Sequence, residues 1–319
     1  MNKICLKNIL KILGVLAWIA CKIIDFAMGI ELVGTDINCG LKPITRTDSR
    51  PNYCQYCKAK DIGMRYTPRL YRVQALSWRH AVSLFCCMST DFSHVPQIKV
   101  VDQFRDLVNT RFQGIHNALC WKRDLTGDFQ EIVEKLTLED DITEVSSDDL
   151  LALNLSEQGQ IARSAILQDM QWLTESGAQP ALNLLKCYER DESMDFISTD
   201  VYSFHVDRSP IETDTFLCTY FGATSDLIAN DQVEQKILIP EIRAKLRELY
   251  DGPEAGFEAF LTEYFFDLHY QPKPNAQPIS LGLGYLWRLA VDHPNQQVLP
   301  CVHRAPVEND GEYRLLLIC

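Results

Sequence analysis

Two short segments, Phe204-His205-Val206-Asp207 and Cys301-Val302-His303-Arg304, constrain the fold of this chain more than any other part of it. Side chains two apart on a strand share a face, roughly 6.5–7 Å apart along it, so His205 and Asp207 can converge on one ion. His303 can join them only if a sheet curls back and returns a distant strand to the same place. Two histidines and one carboxylate on one face of a metal form the ligand set of non-haem iron oxygen chemistry. That set leaves three coordination positions open. His-x-Asp alone is common by chance, and a strand histidine is more often a hydrogen-bonded structural residue, so the flanking sequence has to carry weight.

The flanks read as sheet. The run from Thr213 to Phe221 is rich in β-formers and closes on Gly222. After His303, Asp310-Gly311 separates the strand from Tyr313-Arg314-Leu315-Leu316-Leu317-Ile318, a strong hairpin signal. With a two-residue loop, Arg314 pairs with Ala305 or Val307, and either register puts it on the face of His303 and Cys301. An odd-length loop reverses this. An arginine beside a metal face can hold a carboxylate through its planar fork. The plainer alternative is a pairing with Glu312 or Glu308 on a solvated edge.

Upstream, residues 128–139 have helical spacing at Phe129, Ile132, Val133 and Leu136, and residues 147–155 form a short helix. Ser156 caps a longer helix with apolar positions Ile161, Ile166, Met170 and Leu173 that ends at Gly177. Residues 182–188 and 198–206 read as strands. Pro240 opens a helix through Tyr250, and another covers residues 254–266. Residues 281–291 and 298–304 return to strand. Helices, strands, a helical insert and strands again predict an α+β fold: a jelly-roll barrel buttressed by helices, not a doubly wound sheet.

The order His205, Asp207, His303 and Arg314 resembles that of the double-stranded β-helix dioxygenases that use Fe(II) and 2-oxoglutarate. In those enzymes a basic residue shortly after the distal histidine binds the far carboxylate of the cosubstrate. A closer resemblance, to the bacterial Domain of Unknown Function 1826 family, covers the chain from about residue 100. It is carried by Asn117-Ala118-Leu119-Cys120-Trp121-Lys122-Arg123, by the run from Tyr188-Glu189-Arg190-Asp191 to Gly222, by Leu286-Trp287-Arg288-Leu289-Ala290-Val291-Asp292-His293-Pro294, and by Pro300-Cys301-Val302-His303-Arg304-Ala305-Pro306. That family brings no established activity. Its association with zinc-responsive, metal-handling genes implies a metal-linked role.

Composition narrows the classes. A net charge of −12 argues against a nucleic-acid surface. Twelve irregularly spaced cysteines, including adjacent Cys86-Cys87, fit a reduced cytoplasmic chain better than a disulfide scaffold. Residues 1–95 read as an N-terminal extension to a single domain over 96–319, with an upstream-placed start codon as its first explanation. Its uncharged run over residues 12–21 falls short of the about twenty residues needed to span a bilayer. A membrane contact is therefore expected nowhere else. Cys54-Gln55-Tyr56-Cys57 lacks the second pair that a zinc ribbon needs.

Two readings remain. In the first, His205, Asp207 and His303 hold Fe(II) and Arg314 anchors 2-oxoglutarate, making a hydroxylase-type oxygenase of an unknown small molecule or protein. In the second, the same cupin-like barrel is a non-catalytic zinc-binding protein with Cys301 as an added soft ligand. His293, before Pro294, is a further candidate near the metal or substrate. His269 reads as a structural residue at a helix end, where a cationic imidazole is favourable.

Overall fold

The computed structural model describes Phe92 and residues 95–309 and 311–319. The N-terminal apolar run, Cys54-Gln55-Tyr56-Cys57, Cys86-Cys87 and the turn residue Asp310 lie outside the described residues. The strands are β1 (Ile98–Val101), β2 (Ala118–Trp121), β3 (Ile142–Val145), β4 (Ala181–Leu185), β5 (Phe204–His205), β6 (Asp214–Phe221), β7 (Asp226–Leu227), β8 (Val233–Gln235), β9 (His269–Pro272), β10 (Ile279–Ser280), β11 (Leu286–Ala290), β12 (His303–Arg304) and β13 (Arg314–Ile318). The α-helices are α1 (Phe104–Asn109), α2 (Phe129–Lys135), α3 (Ser147–Ala152), α4 (Glu157–Glu175), α5 (Pro240–Leu249) and α6 (Phe257–Glu263).

The fold is mixed α+β, built on two curled, largely antiparallel sheets. One has the order β1-β2-β11-β6-β13-β4-β3 and the other β10-β7-β12-β5-β9-β8. Among the strands of the described residues, only β1 and β2 pair in parallel. Strands of the first sheet are apolar on both sides because both faces are covered. Leu119, Leu182, Leu184, Cys218, Leu286, Leu315 and Leu317 point to the helix side and pack with Ile132, Val133, Leu150, Ile166 and Leu173. Their strand neighbours Ala118, Cys120, Leu185, Leu217, Trp287, Leu289 and Leu316 point the other way, into a core shared with Leu227 and Ile279 of the second sheet. That inner core is the wall behind the candidate site.

Local signals explain several elements. Ser156 accepts the Gly159 N–H at 3.1 Å as the N-cap of α4, and Pro240 opens α5 at its first turn. Gly177 follows α4 with φ +94, a conformation that favours glycine. The buried stripe of α4 differs from the expected one. Ile161 is exposed, whereas Ala162 and Asp169 are buried. Asp169 is tolerated there because Arg123 grips it with both guanidinium arms and the Tyr220 hydroxyl donates to it at 2.6 Å.

The strands around the site are much shorter than the sequence pattern implies. Of residues 198–206 only Phe204–His205 pair as strand, and of residues 298–304 only His303–Arg304. In the first case side chains compete with the ladder. Asp191 accepts from the Ser193 and Thr199 backbone, and Asp200 from Asp191, Tyr202 and Ser203. In the second, Pro294 and Pro300 have no N–H to give.

Phe92 and Val95, which the sequence pattern assigns to the extension, belong to the inner core. The Phe92 ring packs edge-on against Trp287 at 5.1 Å and Tyr285 at 6.2 Å. Phe92→Ala should therefore destabilise the protein by about 3–5 kcal/mol, as expected for emptying a buried aromatic site. A urea unfolding midpoint matching wild type would show that these contacts are not formed in solution.

Candidate metal centre

His205 ends β5, and His303 lies directly opposite it on β12. Residues in direct cross-strand register carry their side chains on the same face. Val302 packs on the outer side of this sheet, while Cys301 packs in the inner core, so His303 faces the interior. The two imidazole rings are 4.7 Å apart. Asp207 lies just past the end of β5, not within a continuous strand, yet its carboxylate still reaches both rings. Oδ1 is 3.8 Å from His205 Nε2, and Oδ2 is 3.6 Å from His303 Nε2.

Each ring is oriented by a neighbour in its own chain. His205 Nδ1 is 2.8 Å from the Ser203 carbonyl, and His303 Nδ1 is 3.2 Å from the Cys301 carbonyl. A proton on Nδ1 donated to a carbonyl leaves Nε2 as the ligating lone pair, as metal-binding histidines require. The Thr215 hydroxyl donates to Asp207 Oδ2 at 2.5 Å. Arg208 braces the next residue through Asp292 and Asp267, each at 2.7 Å.

One ligand atom from each of His205, Asp207 and His303 lies within 4.8 Å of the others, and no further residue joins this group among those described. Nitrogen and oxygen ligands sit about 2.0–2.2 Å from a bound divalent transition metal, so small side-chain shifts would close the set on one ion. The donor types also fit: two neutral imidazoles and a carboxylate suit iron or zinc.

Charge follows from burial. Desolvation, then the neighbouring His303, pushes His205 down to about 4. Burial opposes ionisation of Asp207, but His303, the Thr215 hydroxyl and His205 outweigh it and hold the carboxyl below its ordinary value.

His269 was expected to be a structural, cationic helix-end residue. It does follow a short 3-10 turn, but it belongs to β9, in direct register with His205. Its ring is 5.9 Å from that of His205. It is only 5 % exposed, and burial, then the charges of His205 and Lys236, push it down to about 4. The imidazole is thus neutral at physiological pH and shares the face of His205 and His303. A pairing between segments so far apart in sequence leaves no local signal, so this residue could not be found from spacing.

These shifts carry a sign. In the unfolded chain His205 and His269 titrate near 6.5, but in the folded chain only near 4. Between those values the unfolded state binds more protons, so stability falls as pH drops through the window. Asp207, with its lowered value, pushes the same way at still lower pH. The metal-free protein should accordingly lose melting temperature steadily from pH 7 to pH 4.5. A flat profile would show that these rings are not buried as described.

Arg314 is placed differently from the expected hairpin. β13 pairs with β4 and β6, whereas β12 pairs with β5 and β7, so His303 and Arg314 belong to different sheets. Alternation along β13 nonetheless turns Arg314 inward with Leu316. The side chain is 2 % exposed. Nη2 donates to Ser225 Oγ at 2.7 Å and Thr219 Oγ1 at 3.3 Å, while buried Nε has no partner. Neither Glu312 nor Glu308 forms an ion pair with it. Burial pushes the guanidinium below its ordinary value, and Tyr188 and Glu308 only partly offset this. Gly222 makes the approach possible: it has φ +83, and a Cβ there would lie 2.6 Å from the Tyr313 carbonyl oxygen.

Cys301 is fully buried in the inner core and is not part of the ligand group, and burial drives its thiol well above the ordinary range. His293 sits in a turn, accepting the Asn295 N–H at 3.2 Å. Among the described residues no helix is long and apolar enough to cross a membrane. Comparison of the chain with protein-family models, curated proteins and solved structures finds no match.

Proposed function

We propose that the protein is a non-haem Fe(II)- and 2-oxoglutarate-dependent oxygenase of hydroxylase type, with His205, Asp207 and His303 as metal ligands and Arg314 as the cosubstrate anchor. The observation that carries this reading is the conjunction of two features on one interior. A His-Asp-His group can close on one ion, and a fully buried arginine lacks a carboxylate partner among the described residues. A buried guanidinium held only by hydroxyls, with Glu308 acting on it from beyond ion-pair distance, is costly, and a ligand carboxylate would relieve that cost.

Strand β6 links the two features. Its inward-facing residues are Thr215, bonded to Asp207, then Leu217 in the inner core, then Thr219, bonded to Arg314. Four residues of strand separate the two threonines by about 13 Å. That interval is of the order needed to set a metal, a short dicarboxylate and a guanidinium in line, with an apolar side chain beside the methylenes. The strand order supports a jelly roll. The order β4-β13-β6-β11 in one sheet and β5-β12-β7-β10 in the other agrees with the order expected of an eight-stranded barrel folded from two Greek keys.

His205, Asp207 and His303 would hold the iron, which would supply the oxidising chemistry. The protein's own residues fix the two imidazole tautomers, keep Asp207 ionised, and hold the far carboxylate of the cosubstrate through Arg314, Ser225 and Thr219. The alternative of a non-catalytic zinc protein loses the soft ligand that distinguished it, because Cys301 stands outside the group. Purification without oxygen followed by metal analysis tests the reading. One equivalent of iron with slow substrate-free consumption of 2-oxoglutarate is expected. Tightly held zinc with no 2-oxoglutarate consumption after iron exchange would overturn it.

A further inference from the structure

We propose that His269 and Lys236 recognise an anionic group, a carboxylate or a phosphate, on the substrate, on the side of the metal centre opposite the cosubstrate. This inference deepens the oxygenase reading and rests on it.

Strand order defines the two sides. In the second sheet β10, β7, β12, β5, β9 and β8 lie side by side, with His303 and His205 on the two central members. Ser225, which binds Arg314, immediately precedes β7 and marks the cosubstrate end. His269 on β9 and Lys236, next after β8, mark the other end. With a dicarboxylate running from the metal toward Arg314, a substrate approaching from the β9 side would meet His269 and Lys236.

That side is furnished for a polar ligand and incompletely satisfied. His269 is 5 % exposed, and its Nδ1 is buried without a hydrogen-bond partner. Buried polar atoms are rarely left so, and each exception calls for a partner. Lys236 is half-buried and donates to Ser203 Oγ at 2.8 Å and the Ser198 carbonyl at 3.1 Å. Both acceptors are neutral, and no carboxylate lies within ion-pair distance of it among the described residues. Asp200, the nearby acid, already receives the backbone N–H groups of Asp191, Tyr202 and Ser203. Burial disfavours the ammonium more than the nearby Asp200 carboxylate favours it, and neither of its hydrogen-bond acceptors is an anion. A ligand oxyanion would take the remaining ammonium proton and a proton from the His269 ring in its Nδ1–H tautomer.

The test uses the full chain loaded with zinc as a redox-silent stand-in and saturated with 2-oxoglutarate. Nitrogen-15 histidine spectra are followed while acetate and methyl phosphate are added separately. A saturable shift of the His269 ring nitrogens is expected with one of them, and which anion produces it assigns a carboxylate or a phosphate. Lys236→Met and His269→Gln should each weaken that binding at least about tenfold, the loss expected for one charge-assisted hydrogen bond, and Lys236→Arg should restore much of it. All three should keep metal content and 2-oxoglutarate affinity unchanged. A shift undiminished in Lys236→Met would mean that the anion sits on the metal, and would overturn the proposal. No saturable shift with either anion, in protein that binds metal and 2-oxoglutarate normally, refutes this inference alone. Protein that takes up no metal or no 2-oxoglutarate refutes the oxygenase reading, and this inference with it.

Discussion

Replacing Asp207 with alanine should abolish tight metal binding while leaving the fold intact. The carboxylate is the only anionic member of the ligand group, and it touches both imidazoles, so its loss removes a ligand and the charge that balances a divalent ion. Losing a mere outer-shell partner costs about 10–100-fold in metal affinity, so a first-shell carboxylate should cost more than about a hundredfold. Stability should change little, because Asp207 is partly exposed and its fixed neighbour Arg208 keeps its own bonds to Asp267 and Asp292. Thr215→Val should give the milder, outer-shell loss, since it removes only the 2.5 Å bond to the carboxylate. Anaerobic competition against a chromogenic chelator reads both values. An Asp207→Ala protein with wild-type affinity would remove the triad from consideration.

Arg314 makes the second large prediction, in two opposed directions. Arg314→Ala should leave metal content near wild type but weaken 2-oxoglutarate binding by about 1.5–3 kcal/mol, the range for a hydrogen bond to a charged group. Arg314→Met, which fills the space without charge, should show the same loss. Its cosubstrate-free form should nevertheless be at least as stable as wild type, because a buried guanidinium without a carboxylate is removed. Arg314→Lys should fall between the two, since an ammonium cannot form the two parallel bonds of the fork. A purely structural arginine would behave otherwise: Arg314→Met would melt well below wild type, and 2-oxoglutarate affinity would not move.

How much of this was legible in the sequence depends on the range of each signal. Ser156, Pro240 and Gly177 act within a turn of their own helices, and the corresponding helix ends stand where local chemistry puts them. The convergence of His205, Asp207 and His303 was readable because a candidate ligand set is a chemical pattern that survives ignorance of the path between its members. The partner strand of Arg314 was not readable. An Asp-Gly turn speaks only for its immediate flanks, and the pairing of β13 with β4 and β6 is decided by the inner and outer apolar faces of the whole sheet. Arg314 reached the interior by that other route. The strand lengths at β5 and β12 failed for a related reason: side-chain bonds from Asp191 and Asp200, and the prolines before β12, interrupt runs whose composition is that of strands. His269 carried no local mark, because it matters only through cross-strand register with His205.

The most direct measurement is calorimetric titration of 2-oxoglutarate into the anaerobic, iron-loaded wild-type protein, with the metal-free protein as reference. One equivalent should bind to the iron-loaded form, and far more weakly to the metal-free form, because in the proposed arrangement the metal and Arg314 hold opposite ends of the same molecule. No heat of binding in protein that carries a full equivalent of iron would contradict the assignment of this site to a 2-oxoglutarate-dependent oxygenase.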